Sequence, residues 1–304
     1  MTTVTAQYPD RAIRIVVPTS AGSGNDAIAR AIGQRFTDAW GKQVVVDNRP
    51  GAGGIISHEL VAKSPPDGYT LLLGASAGLV IAPLLAKVPY DPLYDFAPVS
   101  LATINPQMLV SHPAFADSVG QLVLLARAKP GQLNCASPGT GTSNHLGCEL
   151  LKTMTGVTFV HVPYKGLSSA LSDLIGGQVD FMFNGMPPLL PLAKAGKLRA
   201  LGVAGKKRSA AAPDVPAITE TIPGFESISW YALVAPRGTP PAIIVRLNTE
   251  MVRMFAEPAF AQRFSDQGAE PQTSTPAELT LYMRQEAERY MRIIKLAGLG
   301  KAAI

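Results

Sequence analysis

Two turns built from glycine, serine and threonine have the composition to hold an anion. The first, Thr19 to Gly24, follows an apolar run from Ala12 to Val17 and precedes an amphipathic pattern with Ile28, Ala31, Ile32 and Phe36 on one face. The second, Pro138 to Ser143, follows NCAS (134–137) and precedes Leu146, Leu150, Leu151 and Met154. A helix's first N–H groups have no partner within the helix. A permissive turn ahead of it therefore aims donors at a negative group without requiring full positive charge. Ordinary capping is the rival reading of each turn: Ser23 and Asp26 form a capping box, and Thr142 or Ser143 can cap the second helix. Two such turns in separate strand–helix blocks favour a carboxylate clamp.

Other patterns compete. Gly22-Ser-Gly24-Asn-Asp-Ala27 matches the dinucleotide fingerprint, and Asp47 stands about where a ribose-binding acid belongs. That fingerprint requires its first glycine directly after the strand; here Pro18, Thr19, Ser20 and Ala21 intervene. Gly74-Ala-Ser76-Ala-Gly78 matches G-x-S-x-G between a strand and a helix, the setting of a hydrolase nucleophile elbow. Ser76 with His145 or His161 as base is thus the enzymatic alternative, although an upstream His-Gly-Gly oxyanion element is missing. His161-Val-Pro-Tyr164-Lys165-Gly166 ends a strand, offering a hydroxyl, a flat wall and a charge; a Pro-Tyr turn with a solvated lysine explains it equally well. Asn184 is a polar residue at the carboxyl end of VDFMF, where ligands of parallel sheets bind.

These residues must be positioned by the surrounding elements. Apolar runs at 12–17, 43–48, 70–74, 134–137, 158–164, 179–185 and 198–205 read as strands, with helices between them, and 228–236 reads as a long apolar strand. VSLATI (99–104) and MLVSH (108–112) read as two strands flanking Asn105-Pro106. The C-terminal remainder is mostly helical, with a capping box at Thr275 and Glu278. Strands alternating with helices predict an α/β fold with parallel sheets. In 304 residues, 47% hydrophobic and 16% charged, there is room for two well-cored domains.

A net charge of +5 is spread thinly, with Lys206-Lys207-Arg208 the one tight basic run. Nucleic acid is not expected, and a mild positive field suits small anions. The two cysteines, Cys135 and Cys148, form no CxxC, and the four histidines show no metal-ligand spacing. No metal and no cofactor are expected. Buried free thiols are the default for the cysteines, with a disulfide possible. The uncharged stretch from Gly68 to Ala86 is broken by Gly74, Gly78 and Pro83, so strand, turn and buried helix fits it better than a membrane span. The N-terminus carries no apolar leader; a cytosolic chain and one whose leader has been removed remain open.

The motifs VVVDNRPGAGG (44–54), SPPDGYTLLLG (64–74), YDPLYDFAPVS (90–100), HVPYKG (161–166), LIGGQVDFMF (174–183), AGKLRALGV (195–203) and APRGTPP (235–241) stand in the order of one family. The chain resembles the Bug solute-binding proteins, the extracytoplasmic receptors of tripartite tricarboxylate transporters. That resemblance implies a two-domain periplasmic-binding-protein fold of the type with two crossovers. One domain would take residues 1–104 plus 226–304, the other 105–225, with a cleft between them. It implies a non-enzymatic, monomeric, periplasmic receptor that closes by hinge motion on a small carboxylate and delivers it to membrane permease subunits. The ligand residues it implies are Thr19, Ser20, Ala21, Gly22 and Asp26, with Ser76 nearby, on one side. On the other side it implies Ser137, Thr140, Thr142, Ser143, Tyr164, Lys165 and Asn184. Thr19 stands where the family usually has Phe, and Asn184 where an acidic residue is common. A dicarboxylate, including aromatic ones, is the expected ligand.

Overall fold

The computed structural model describes residues 8–299. They divide into two compact units. The first holds the residues up to Ile104, then Trp230–Phe264 and Pro271–Glu288. The second holds Asn105–Ser229, Ser265–Glu270 and the residues from Arg289 on. The C-terminal stretch, expected with the first domain, is thus divided between the units.

In the first unit, β1 (Ile13–Val17) pairs in parallel with β2 (Val44–Asn48) on one side and β3 (Thr70–Ala75) on the other. β9 (Ile228–Pro236) runs antiparallel to β3, with Leu72 opposite Val234. Apart from the half-buried Arg14, β1 is apolar because both its faces are covered: Ile15, Val16 and Val17 are fully buried, as are Leu71, Leu72 and Leu73 on β3. α1 (Gly24–Trp40) lays Ile28, Ile32 and Phe36 into this core and stops at Gly41, which adopts the left-handed conformation at φ 65°. Two further helices of this unit are α2 (Ile55–Ala62), which buries Ser57, His58 and Val61, and α8 (Pro241–Phe255), which buries an apolar stripe and carries Pro241 in its first turn, where a missing N–H costs nothing.

In the second unit, β5 (Asn134–Ser137) lies between β6 (Val160–Pro163) and β7 (Phe181–Gly185), parallel to both. β7 and β8 (Arg199–Val203) flank the second half of β4 (Phe96–Ser111), antiparallel to it. Helices α5 (Ser143–Thr155), α6 (Leu167–Ile175) and α7 (Met186–Lys194) follow β5, β6 and β7. Met108, Ala136, Leu174, Met182, Met186 and Leu189 form one buried cluster.

Two expectations change. The strands expected on either side of Asn105-Pro106 are a single 16-residue strand, β4. Pro106 is tolerated because the ladder to β7 begins at Gln107, opposite Gly185, so its missing N–H falls outside that ladder. The cysteines are not free thiols: Cys135 on β5 and Cys148 on α5 form a disulfide. Their separation of 13 residues closes a loop for which chain entropy predicts about 3 kcal/mol of stabilisation. A Cys135→Ala, Cys148→Ala double variant is expected to lose about that much in urea titration. No helix among the described residues is long and apolar enough to cross a membrane. Gly68–Ala86, as read from sequence, is not a span but strand, turn and helix.

Candidate functional site

The turn between β1 and α1 is built around Asp26. Ser23 caps α1, its hydroxyl accepting from the Asp26 N–H at 3.2 Å and lying 2.6 Å from Thr19 Oγ1. Asp26 reaches back not to the cap's own N–H, as a capping box would have it, but to that of Gly22, at 2.9 Å. Its other oxygen accepts from Asn48 Nδ2 at 3.0 Å, and Arg30 Nε donates at 3.0 Å. The same Asn48 amide donates to the Thr19 carbonyl, so the end of β2 ties down both sides of the turn. Burial alone would raise the Asp26 carboxyl, but Arg30, the Gly22 N–H and Asn48 together hold it below the ordinary carboxylate range. Asp26 is therefore internally satisfied. Ser20, Ala21 and Gly22 are exposed, and no hydrogen bond among the described residues engages the N–H of Ser20 or Ala21. Gly22 sits at φ 81°, a conformation that a side chain would strain.

Ser76 follows β3, and because β1 and β3 are parallel their carboxyl ends share one edge. Ser76 opens a π-helical turn, Ala77–Ile81, ahead of α3 (Ala82–Leu85). It is 1% exposed, and its Oγ has no hydrogen-bond partner among the described residues. The bases considered for it, His145 and His161, belong to the second unit and are bonded within it. Ser76 thus lacks both the exposure and the base of a nucleophile elbow. The histidine that does meet this turn is His58, fully buried on α2, which sequence reading passed over. His58 Nδ1 donates to the Gly54 carbonyl at 2.6 Å, and its ring stacks on Tyr90 at 5.6 Å. Burial pushes its pKa down to about 4, so the ring is neutral and its role is packing.

In the second unit, the parallel pairing of β5 with β6 and β7 brings the ends of three strands onto one edge. Thr142 caps α5, accepting from the His145 N–H at 3.3 Å and donating to the Gly139 carbonyl at 2.8 Å. Ser137 is fully buried, its hydroxyl 2.6 Å from His161 Nε2 and bonded to both polar groups of the Gly139 backbone. Thr140 is exposed, and Ser143 is buried in the first turn of α5. Asn144, which the sequence reading left out of the site, donates to the Phe183 carbonyl at 3.0 Å and to Asn184 Oδ1 at 2.8 Å. That fixes the Asn184 amide with its NH2 end turned away from Asn144. Tyr164 donates to Asp173 at 2.7 Å, and burial together with that carboxylate pushes its pKa up to about 12. Its hydroxyl is committed within the unit. Lys165 beside it is exposed.

Each unit therefore carries one strand–turn–helix start with free donors. In the first these are the N–H groups of Ser20 and Ala21; in the second they are Thr140, Asn184 and the head of α5. Of the more deeply placed candidates, Asp26 and Ser137 hold these turns, and Ser76 is buried at the end of β3. Among the described residues no group of three or more His, Cys, Asp or Glu is placed to hold a metal ion.

Comparison with known proteins bears out the fold. Residues 28–299 match the profile of the tripartite tricarboxylate transporter family receptors, TctC. Protein BugT of Bordetella pertussis is 37% identical over 295 residues, 96% of this chain and 90% of the relative. Rpa4515 of R. palustris, solved with adipate, superposes with a TM-score of 0.93 at 35% identity, covering 96% of this chain and 99% of that one. MatC from Rhodopseudomonas palustris, solved with bound malate, gives 0.86 at 32% identity, over 94% and 100% of the two chains. The mixed α/β architecture is that of these binding proteins, and the match runs through both units rather than one. The chain belongs to the tripartite tricarboxylate transporter receptor family.

Proposed function

We propose that this receptor captures a small dicarboxylate, with the Ser20–Gly22 loop ahead of α1 and the Gly139–Ser143 loop ahead of α5 as the candidate carboxylate-binding elements of their units. The observation that carries the reading is the pair of helix starts, each preceded by a Gly/Ser/Thr turn whose outward donors lack an internal partner. Such groups suit a carboxylate, because helix N–H groups and the helix dipole favour negative charge. Adipate and malate, found with two relatives of this family, are both dicarboxylates. Asn184 supports a second carboxylate, since an amide there donates a hydrogen bond where an acid would repel. The disulfide suits an oxidising compartment, so the periplasm is the proposed location and permease subunits the proposed recipients. Binding without bond-making is the whole task, with closure around the ligand strengthening each bond by excluding water.

Isothermal titration with adipate, malate, citrate, terephthalate, glutamate and nicotinate tests this reading. Saturable binding of at least one dicarboxylate is expected; binding of the monocarboxylate alone would overturn it. Asn184→Asp is expected to weaken a dicarboxylate by about tenfold, the equivalent of about 1.4 kcal/mol, while leaving thermal stability near that of the parent.

A further inference from the structure

Two imidazoles lie stacked beneath the α5 turn. The rings of His145 and His161 are 3.9 Å apart between centroids and 18° from parallel. Each is bonded to the turn by a different route. The Gly141 N–H donates to His145 Nδ1 at 3.2 Å. A ring nitrogen that accepts carries no hydrogen, so His145 holds its single proton on Nε2, which faces Glu149 Oε1 at 3.7 Å. His161 Nε2 lies 2.6 Å from Ser137 Oγ, and that hydroxyl grips Gly139. Gly139 and Gly141, at φ 158° and 76°, are the two points where the turn departs from ordinary backbone. Both are thus fixed by the histidine pair.

We propose that His145 and His161 are positioning residues that hold the 137–142 turn in its anion-binding form, and that they do so only as neutral rings. This rests on the reading of that turn as a ligand-binding element. The proton chemistry follows from the bonds. Protonating His145 places a hydrogen on Nδ1, opposite the Gly141 N–H, and an attraction becomes a clash between two donors. Protonating His161 as well would stack one cation on another. The charged groups facing the pair are Glu149 and Lys152, both on α5 and joined to each other at 2.7 Å. From β5 the pair meets the Ser137 hydroxyl, and on the loop after β6 Tyr164 is already bonded to Asp173 of α6. Burial, with Lys152 in second place, pushes the His145 pKa from 6.5 down to about 4. Burial, then His145 itself, does the same for His161, with Glu149 opposing and Lys152 assisting. Both rings are accordingly neutral through the physiological range, and the turn is released in acid.

The test follows the Gly141 amide by NMR in glycine-labelled protein without ligand, from about pH 7.5 to about pH 3. A titration of that amide is expected in the parent and not in His145→Gln, whose side-chain oxygen can accept from Gly141 but cannot take up a proton. Adipate titrations run alongside. Below the midpoint the parent is expected to lose affinity by up to about tenfold per pH unit more than His145→Gln does. The shared ligand chemistry cancels in that difference. His145→Asn, with melting temperature read separately, serves if the first variant does not fold. Coincident pH profiles, or a Gly141 amide indifferent to pH, would overturn the proposal. Failure of every carboxylate to bind near neutral pH while Gly141 titrates would instead sink the proposed function and leave the positioning pair standing.

Discussion

Replacing Gly78 by alanine is expected to destabilise the protein by about 3 kcal/mol or more, read from urea denaturation. A Cβ at that position would lie 2.2 Å from His58 Cε1 and within 2.6 Å of both ring nitrogens. His58 cannot retreat. It is fully buried, bonded to Gly54 and stacked on Tyr90, whose own hydroxyl donates back to the Gly78 carbonyl at 2.7 Å. The turn after β3 therefore has no slack. The same geometry gives a control. In a His58→Ala background the Gly78→Ala substitution should cost less than about 1 kcal/mol, because the two sites share one contact and their effects do not add. Equal costs in both backgrounds would show that the ring is not what excludes the side chain. Acid adds a second signature. His58, His145 and His161 all have pKa values lowered from 6.5 to about 4. The unfolded chain takes up their protons first, so the stability they support is full above about pH 6.5 and declines as pH falls toward about 4.

Asp26→Ala is expected to cost about 3 kcal/mol and to weaken carboxylate binding about tenfold or more. The side chain is 4% exposed and serves the Gly22 N–H, Asn48 and Arg30 at once. Deleting it leaves three donors without their acceptor and frees the very turn that presents Ser20 and Ala21. Asp26→Asn keeps one acceptor and the shape but loses the charge, so an intermediate effect is expected. The sign of its pH dependence is opposite in origin to that of a buried neutral histidine. The Asp26 carboxyl is held below its ordinary range, so its contribution is present above about pH 4 and is lost as pH falls further. In the Asn variant that acid-sensitive part is absent. Urea midpoints for the two proteins should converge as pH is lowered from about 7 to about 3; midpoints that stay equally far apart would refute the assignment.

How much of this was legible in the sequence differs from element to element. The β1–turn–α1 unit was readable because one apolar run, one cap and one amphipathic stripe all agree locally, and Ser23 caps α1 as its type and position suggest. The β5–α5 start was readable for the same reason. What was not legible depends on neighbours far along the chain. Asn48 looks like the end of a strand, and its hold on Asp26 and Thr19 exists because β2 lies beside β1. Asn144 holds Asn184 across 40 positions. His58, one histidine in a short helix, has no pattern to mark it, yet it decides which residue can stand at 78. The continuity of β4 was hidden by Pro106, a residue that interrupts a strand only where its N–H is needed. Ser76 misled in the other direction. Small residues around a serine make a tight turn whether or not the hydroxyl reaches a base, and sequence spacing does not report burial.

The Cys135–Cys148 bond has one more consequence. It makes a covalent ring of the segment that contains the exposed Thr140. A protease that clips this loop would leave both pieces attached to one molecule. The cleaved and intact proteins would then migrate together on a gel run without thiol and separate on one run with it, so a gel that omits the reducing agent hides damage to this loop.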